Sequence, residues 1–257
     1  ISSAVAIVLY PTVSTLDTKY KHDRKRRNRA IAHITRNSER YSSMVTVPVV
    51  FLIIIFAVPI IDIVLNSSFR PAAMSLQILT IYTYVLTLGM PFRFLILGMD
   101  QPDTIAKVVI LSGVVNVVFN LLLIPENGLL SPFDINGPSG AALAALISAI
   151  VMFIGFHRYS RRIVRVGFRW GKVIIHIVAG IIMGLIIWEI ASHFQPLKWY
   201  FLAGLALLGI CLYVSILWIF REFRRKDYNF FMDTANPLNA LRYIKEEIKE
   251  RPKNDLD

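Results

Sequence analysis

Five polar side chains lie within or at the rims of long apolar runs in this 257-residue chain, and they are the groups best placed for chemistry: Arg93, Asn116, Asn120, Asp62 and Glu189. Inside an apolar run a polar group is tolerated only where it faces protein or a wet cavity, so each is a candidate contact for something bound or carried. Arg93 precedes the end of its run at Gly98 by five residues, about 7 to 8 Å of helix rise. It therefore has two readings: a cation facing a cavity, or a long stem snorkelling to nearby headgroups. Asn116 and Asn120 stand at i,i+4 on one helix face, which suits hydrogen bonding between helices or contact with a ligand. Asp62 and Glu189 lie near the outer ends of their runs, as wetted interface carboxylates or as ion-coupling groups.

No enzyme constellation accompanies them. The five histidines (His22, His33, His157, His176, His193) show neither HxxxH nor HExxH spacing, so neither a zinc site nor any other metal site is expected. There is no Walker A or glycine-rich nucleotide loop, and no cofactor is expected. Cys211 is the single cysteine; it excludes an internal disulfide and reads as a buried hydrophobe. Glu126 and Asp134, on a Gly/Pro-rich loop, read as solvated turn residues before an acid/base pair.

The elements that must position these groups are set by charge and hydropathy. Hydrophobic residues make up 55% of the chain and its mean hydropathy is +0.56, more apolar surface than one soluble core of this size consumes. Six runs, 42–66, 72–98, 108–125, 139–157, 173–194 and 199–220, each approach the length a bilayer demands of a helix. Helices satisfy their own backbone hydrogen bonds in lipid, and no alternating pattern of barrel strands is present. Twenty-five of the 28 Lys and Arg residues fall in every second gap between runs, while the alternate gaps hold only Arg70 and Lys198. Cations stay on the cytoplasmic side of inserted helices, which predicts a multi-pass protein of the cell membrane with its C-terminus cytoplasmic. The same reading makes the net charge of +11 topogenic, so nucleic acid is not an expected partner. Trp170, Trp199, Tyr200 and Trp218 lie near span ends, where amphipathic rings meet headgroups.

The expected fold is thus all-α, a polytopic bundle of six complete transmembrane helices plus a truncated first one. The chain opens within an apolar stretch, residues 1–14, which reads as the end of a helix begun elsewhere, and the chain as a fragment. Residues 15–41 form a basic cytoplasmic linker helix, whose narrow stripe of Ala30, Ile31 and Ile34 predicts that it lies along the inner membrane surface, its cations either topogenic alone or attracting anionic lipids or a phosphate-bearing substrate. Residues 42–157 hold four spans and 158–220 two more, and 221–257 are a cytoplasmic tail. In that tail Asn236 and Pro237 start an amphipathic helix carrying Leu238, Leu241, Ile244 and Ile248 on one face. Pro48, Pro59 and Pro91 interrupt spans, and the run Gly140, Ala141, Ala142, Ala144, Ala145 invites close helix packing.

Five stretches taken in order, VLYPTVSTL (8–16), the basic linker, SLQIL (75–79), NVVFNLLLIP (116–125) and GPSGAALAALIS (137–148), resemble the second half of polysaccharide biosynthesis proteins. These are the oligosaccharide flippases of the superfamily that also holds lipid II flippases and multidrug and toxin extrusion transporters. The likeness covers residues 8–158, and the last two spans match in pattern only. It implies two six-helix lobes around a cavity, with alternating access carrying a lipid-linked oligosaccharide outward, and a missing N-terminal lobe as this chain's partner. Arg93 would then meet diphosphate oxygens, and Asn116 and Asn120 sugar hydroxyls. The charged, hydroxylated headgroup cannot shed its water to cross lipid unaided. Two other functions compete. A small-molecule or multidrug antiporter of the same fold needs an intramembrane carboxylate, for which only Asp62 and Glu189 qualify. A membrane glycan polymerase or glycosyltransferase needs a large loop rich in acids or histidine, which these loops are not.

Overall fold

The computed structural model describes residues 2–125, 136–194 and 198–222. Among them there are eight α-helices and no strands: α1 (Ser2–Lys19), α2 (Arg24–Ile55), α3 (Ala57–Val64), α4 (Ala72–Gly98), α5 (Pro102–Leu123), α6 (Gly137–Val164), α7 (Trp170–Ser192) and α8 (Trp199–Ile219). A single 3-10 turn, Ser67–Phe69, joins α3 to α4. Six of the helices, α2 and α4 to α8, are long and apolar enough to cross a membrane. The protein is an all-α polytopic membrane bundle. It divides into residues 1–213 and 214–257, and of the second unit only the last residues of α8 and those up to 222 are described.

Two expectations about the basic segment change. It does not form a separate helix along the membrane surface: α2 carries it without a break into the apolar run, as one helix of 32 residues and about 48 Å. Asp23 starts that helix by accepting from the backbone N–H of Arg26 at 2.9 Å. Ile31 and Ala32 are buried in protein, in one cluster with Leu9 and Val13 of α1, Phe92 and Leu95 of α4 and Phe156 of α6. The narrow apolar stripe is therefore a packing face, covered by α1 and α4. The expected boundaries at residues 14 and 157 also fall inside α1 and α6, which continue to Lys19 and Val164.

The expected span 42–66 is broken at Phe56, where α2 ends and α3 begins. Pro48 and Pro91 each sit inside a continuous helix, so of the three prolines only Pro59 marks a break. Pro59 occupies the third residue of α3, in a first turn whose N–H groups have no partner inside the helix, so the missing donor is tolerated there. Gln77 of α4 donates its side-chain amide to the carbonyl of Ile54 at 3.0 Å, satisfying an acceptor at the break.

Helix α4 is central, packed most extensively on α6 and then on α2 and α1, while α5 lies on α6 and α7 on α2. The small-residue run is a packing device: Gly140, Ala142 and Ala144 are buried, and a Cβ at Gly140 would overlap the backbone carbonyl of Leu123 in α5. Gly180 and Gly184 do the same for α7, admitting Val47, Phe51 and Ile55 of α2. The outer faces of α5 and α8 stay uncovered, with Leu121 and Leu207 among the most exposed apolar residues. Cys211 lies on that uncovered surface of α8, which corrects its expected burial. Residues 126–135 and the tail helix expected after Asn236 lie outside the described residues.

Candidate functional site

Helix α4 presents two chemically different faces. Tyr84 and Arg93 are nine residues apart, half a turn out of phase at 100° per residue, so they point to opposite sides of it. On the Arg93 side, α4 and α6 flank a small open cleft of about 20 Å³. Leu86, Gly89 and Met90 of α4 and Met152, Phe153 and Phe156 of α6 wall it, and Arg93 is the one charged side chain in its lining. Arg93 is half-buried, five residues from the end of α4 that lies beside the basic stretches. An aromatic group stands next to the cleft: the His157 ring stacks on Phe153 at 6.1 Å and meets Phe92 edge-on at 5.0 Å. A guanidinium beside such apolar walls has the planar donor fork that matches phosphate oxygens.

The two asparagines lie elsewhere. Asn120 donates to Asn116 Oδ1 at 3.0 Å, and both are half-buried on the face of α5 that carries the buried Val108, Ser112 and Leu123. That face packs on α6. Asn116 stands fourteen residues from the start of α5 at Pro102, about 21 Å, whereas Arg93 stands about 7.5 Å from the neighbouring end of α4. The pair and Arg93 are thus at different depths, not in one cluster. Asn120 Oδ1 is buried and has no hydrogen-bond partner among the described residues.

At the opposite end of the bundle Arg70 grips Asp62 through two nitrogens, Nε at 2.8 and 3.1 Å and Nη2 at 2.8 Å. Glu189 is exposed near the end of α7. Glu126 and Asp134 lie outside the described residues, among which no three His, Cys, Asp or Glu stand close enough to hold a metal.

Reasoning from sequence passed over the polar groups on the other side of α4. Ser43 of α2 hydrogen-bonds both the Tyr84 hydroxyl and His176 Nδ1 of α7, each at 3.0 Å. One turn earlier, Glu39 Oε1 accepts from the backbone N–H of Arg169 at 3.1 Å. Thr35, Glu39 and Ser43 are all fully buried, and their i,i+4,i+8 spacing was the available signal.

Two relatives match this chain. An uncharacterized membrane protein of Methanocaldococcus jannaschii is 28% identical over 152 residues, 59% of this chain and 27% of that protein. A Haloferax volcanii protein named "Probable low-salt glycan biosynthesis flippase Agl15" is 27% identical over 188 residues, 71% of this chain and 37% of that protein. The chain thus spans about a third of the length of the curated relatives it matches. No family model matches the chain, and no solved structure matches it.

Proposed function

We propose that this chain supplies one helical lobe of a membrane transporter, a flippase moving lipid-linked oligosaccharide or polysaccharide precursors across the cytoplasmic membrane by alternating access. The observation that carries this reading is the cleft between α4 and α6, apolar except for Arg93. A lipid-linked glycan needs such a place: a cation for the diphosphate, aromatic and aliphatic walls beside it, and open access so that the lipid tail stays in the bilayer. The name of the Haloferax volcanii relative and the resemblance to oligosaccharide flippases point the same way.

In this reading the other lobe completes the cavity and rocks against this one. The basic end faces the cytoplasm with the C-terminus, where its cations also meet anionic lipids. Asn116 and Asn120 serve the glycan from a greater depth than Arg93, or hold α5 in place.

Arg93 tests the reading in cells through export of the finished glycan, with membrane abundance measured in parallel. Arg93→Ala lowers export about 30-fold, the factor that about 2 kcal/mol of a lost charge-assisted contact represents. Arg93→Lys restores it only in part, because lysine keeps the charge and loses the two-point fork. Full export by Arg93→Ala at normal abundance would remove Arg93 from the route.

A further inference from the structure

The transport reading leaves unused the buried polar groups on the far side of α4. Foremost is Glu39, 0% exposed, where α2 meets the residues that lead into α7. Its Oε1 accepts one hydrogen bond, from the backbone N–H of Arg169, the residue that caps the N-terminus of α7. Its Oε2 is buried with no hydrogen-bond partner among the described residues. A carboxylate taken out of water is held ionised by several donors or a directly bonded cation. This one has a single amide at the positive end of a helix. The groups whose charge reaches it are Arg36 on its own helix, Arg169 ahead of α7 and Tyr84 on α4. Arg36 instead directs its Nε to the carbonyl of Ala32 at 3.1 Å. His176 of α7 is one step removed, through Ser43.

We propose that Glu39 is a proton-binding site, and that the proton it carries on Oε2 sets how firmly the start of α7 is held on α2. The step is a proton transfer from hydronium: one of its O–H bonds breaks, an O–H bond forms at Oε2, a water molecule leaves and the buried charge disappears. An ionised acceptor makes the stronger hydrogen bond to the Arg169 amide, and the neutral acid makes a weaker one. One turn along α2, the bond from Ser43 to His176 holds α7 at a second level. Loss of the first contact with retention of the second frees the beginning of α7 while its body stays packed.

Infrared difference spectra of the purified protein in lipid nanodiscs, titrated from alkaline to acid pH, read this directly without any transport step. The expected result is a component of the protonated-carboxyl C=O stretching band that grows as pH falls in the wild type and is missing from Glu39→Gln, so that it stands alone in the wild-type-minus-variant difference. The Arg169 backbone amide resonance is expected to shift with the same midpoint, and to stop shifting in Glu39→Gln. Glu39→Asp keeps a carboxyl if Gln does not fold, and its band should titrate with a displaced midpoint. The proposal is overturned if the wild-type-minus-Glu39→Gln difference holds no such component at any pH, or if the Arg169 resonance titrates unchanged in that variant. It is equally overturned if, at constant pH, added sodium removes the band in proportion to its concentration, which would make the ligand a metal cation.

Discussion

Gln77 reaches from α4 to the backbone carbonyl of Ile54, 3.0 Å away, beside the turn at Phe56 where one transmembrane path becomes two helices. The contact ties a local feature of the backbone to a residue on another helix. Without it the carbonyl would be left unsatisfied in a low-dielectric setting.

Gln77→Leu is therefore expected to lower stability by about 1 to 3 kcal/mol, the usual cost of a buried acceptor left without a donor. Thermal unfolding of the purified protein in detergent measures it. Pro59→Ala in the same background should recover part of the loss, because a chain free to stay helical through residue 56 supplies its own donor. An unchanged midpoint in Gln77→Leu would show that the contact contributes nothing.

Gly140 and Gly113 make a matched pair. A Cβ at Gly140 runs into the Leu123 backbone, which cannot rotate away, while one at Gly113 meets nothing within 4 Å. Gly140→Ala should push α5 off α6 and lower both membrane abundance and unfolding temperature. Gly113→Ala should be neutral or stabilising by up to about 1 kcal/mol, from helix propensity alone. Abundance in membranes and thermal unfolding of both variants check the contrast, and equal behaviour would refute the close packing of α5 on α6.

Much of the fold was legible because the bilayer acts as a simple solvent. Run length gave the six spans, and the helices α4 and α5 start or stop close to where hydropathy changes. Arg93 was visible as a lone cation in an apolar run. What was not legible depends on partners far away in sequence. Three prolines looked alike, and the one that marks a break does so beside an acceptor that Gln77, 23 residues on, can satisfy. Glu39 was lost among the cations of a basic stretch, because its burial requires the start of α7, 130 residues later, to cover it. The stripe of Ala30, Ile31 and Ile34 pointed to lipid only while the α1 and α4 side chains packed with Ile31 and Ile34 were unknown. Asn116 and Asn120 were legible as a pair, but their side of α5 was set by α6.

The charge map predicts which ends face which side. Lys25→Cys, exposed at the basic end, should be labelled in intact cells only by membrane-permeant maleimides. Ser68→Cys, exposed in the turn between α3 and α4, should be labelled by impermeant ones. The reverse pattern would invert the orientation and place Arg93 near the outer surface.

The proposed function places a lipid-linked glycan headgroup on a path across the membrane to which Arg93 contributes. The most direct measurement uses vesicles reconstituted with the protein that carries this chain and with a lipid-linked oligosaccharide, following the headgroup fraction open to an external sugar-oxidising or lectin probe. The account predicts that the protected pool equilibrates with the outer leaflet in wild-type vesicles, and does so about 30-fold more slowly with Arg93→Ala at equal incorporation. A protected pool that stays protected in wild-type vesicles, or that equilibrates equally fast with Arg93→Ala, would contradict it.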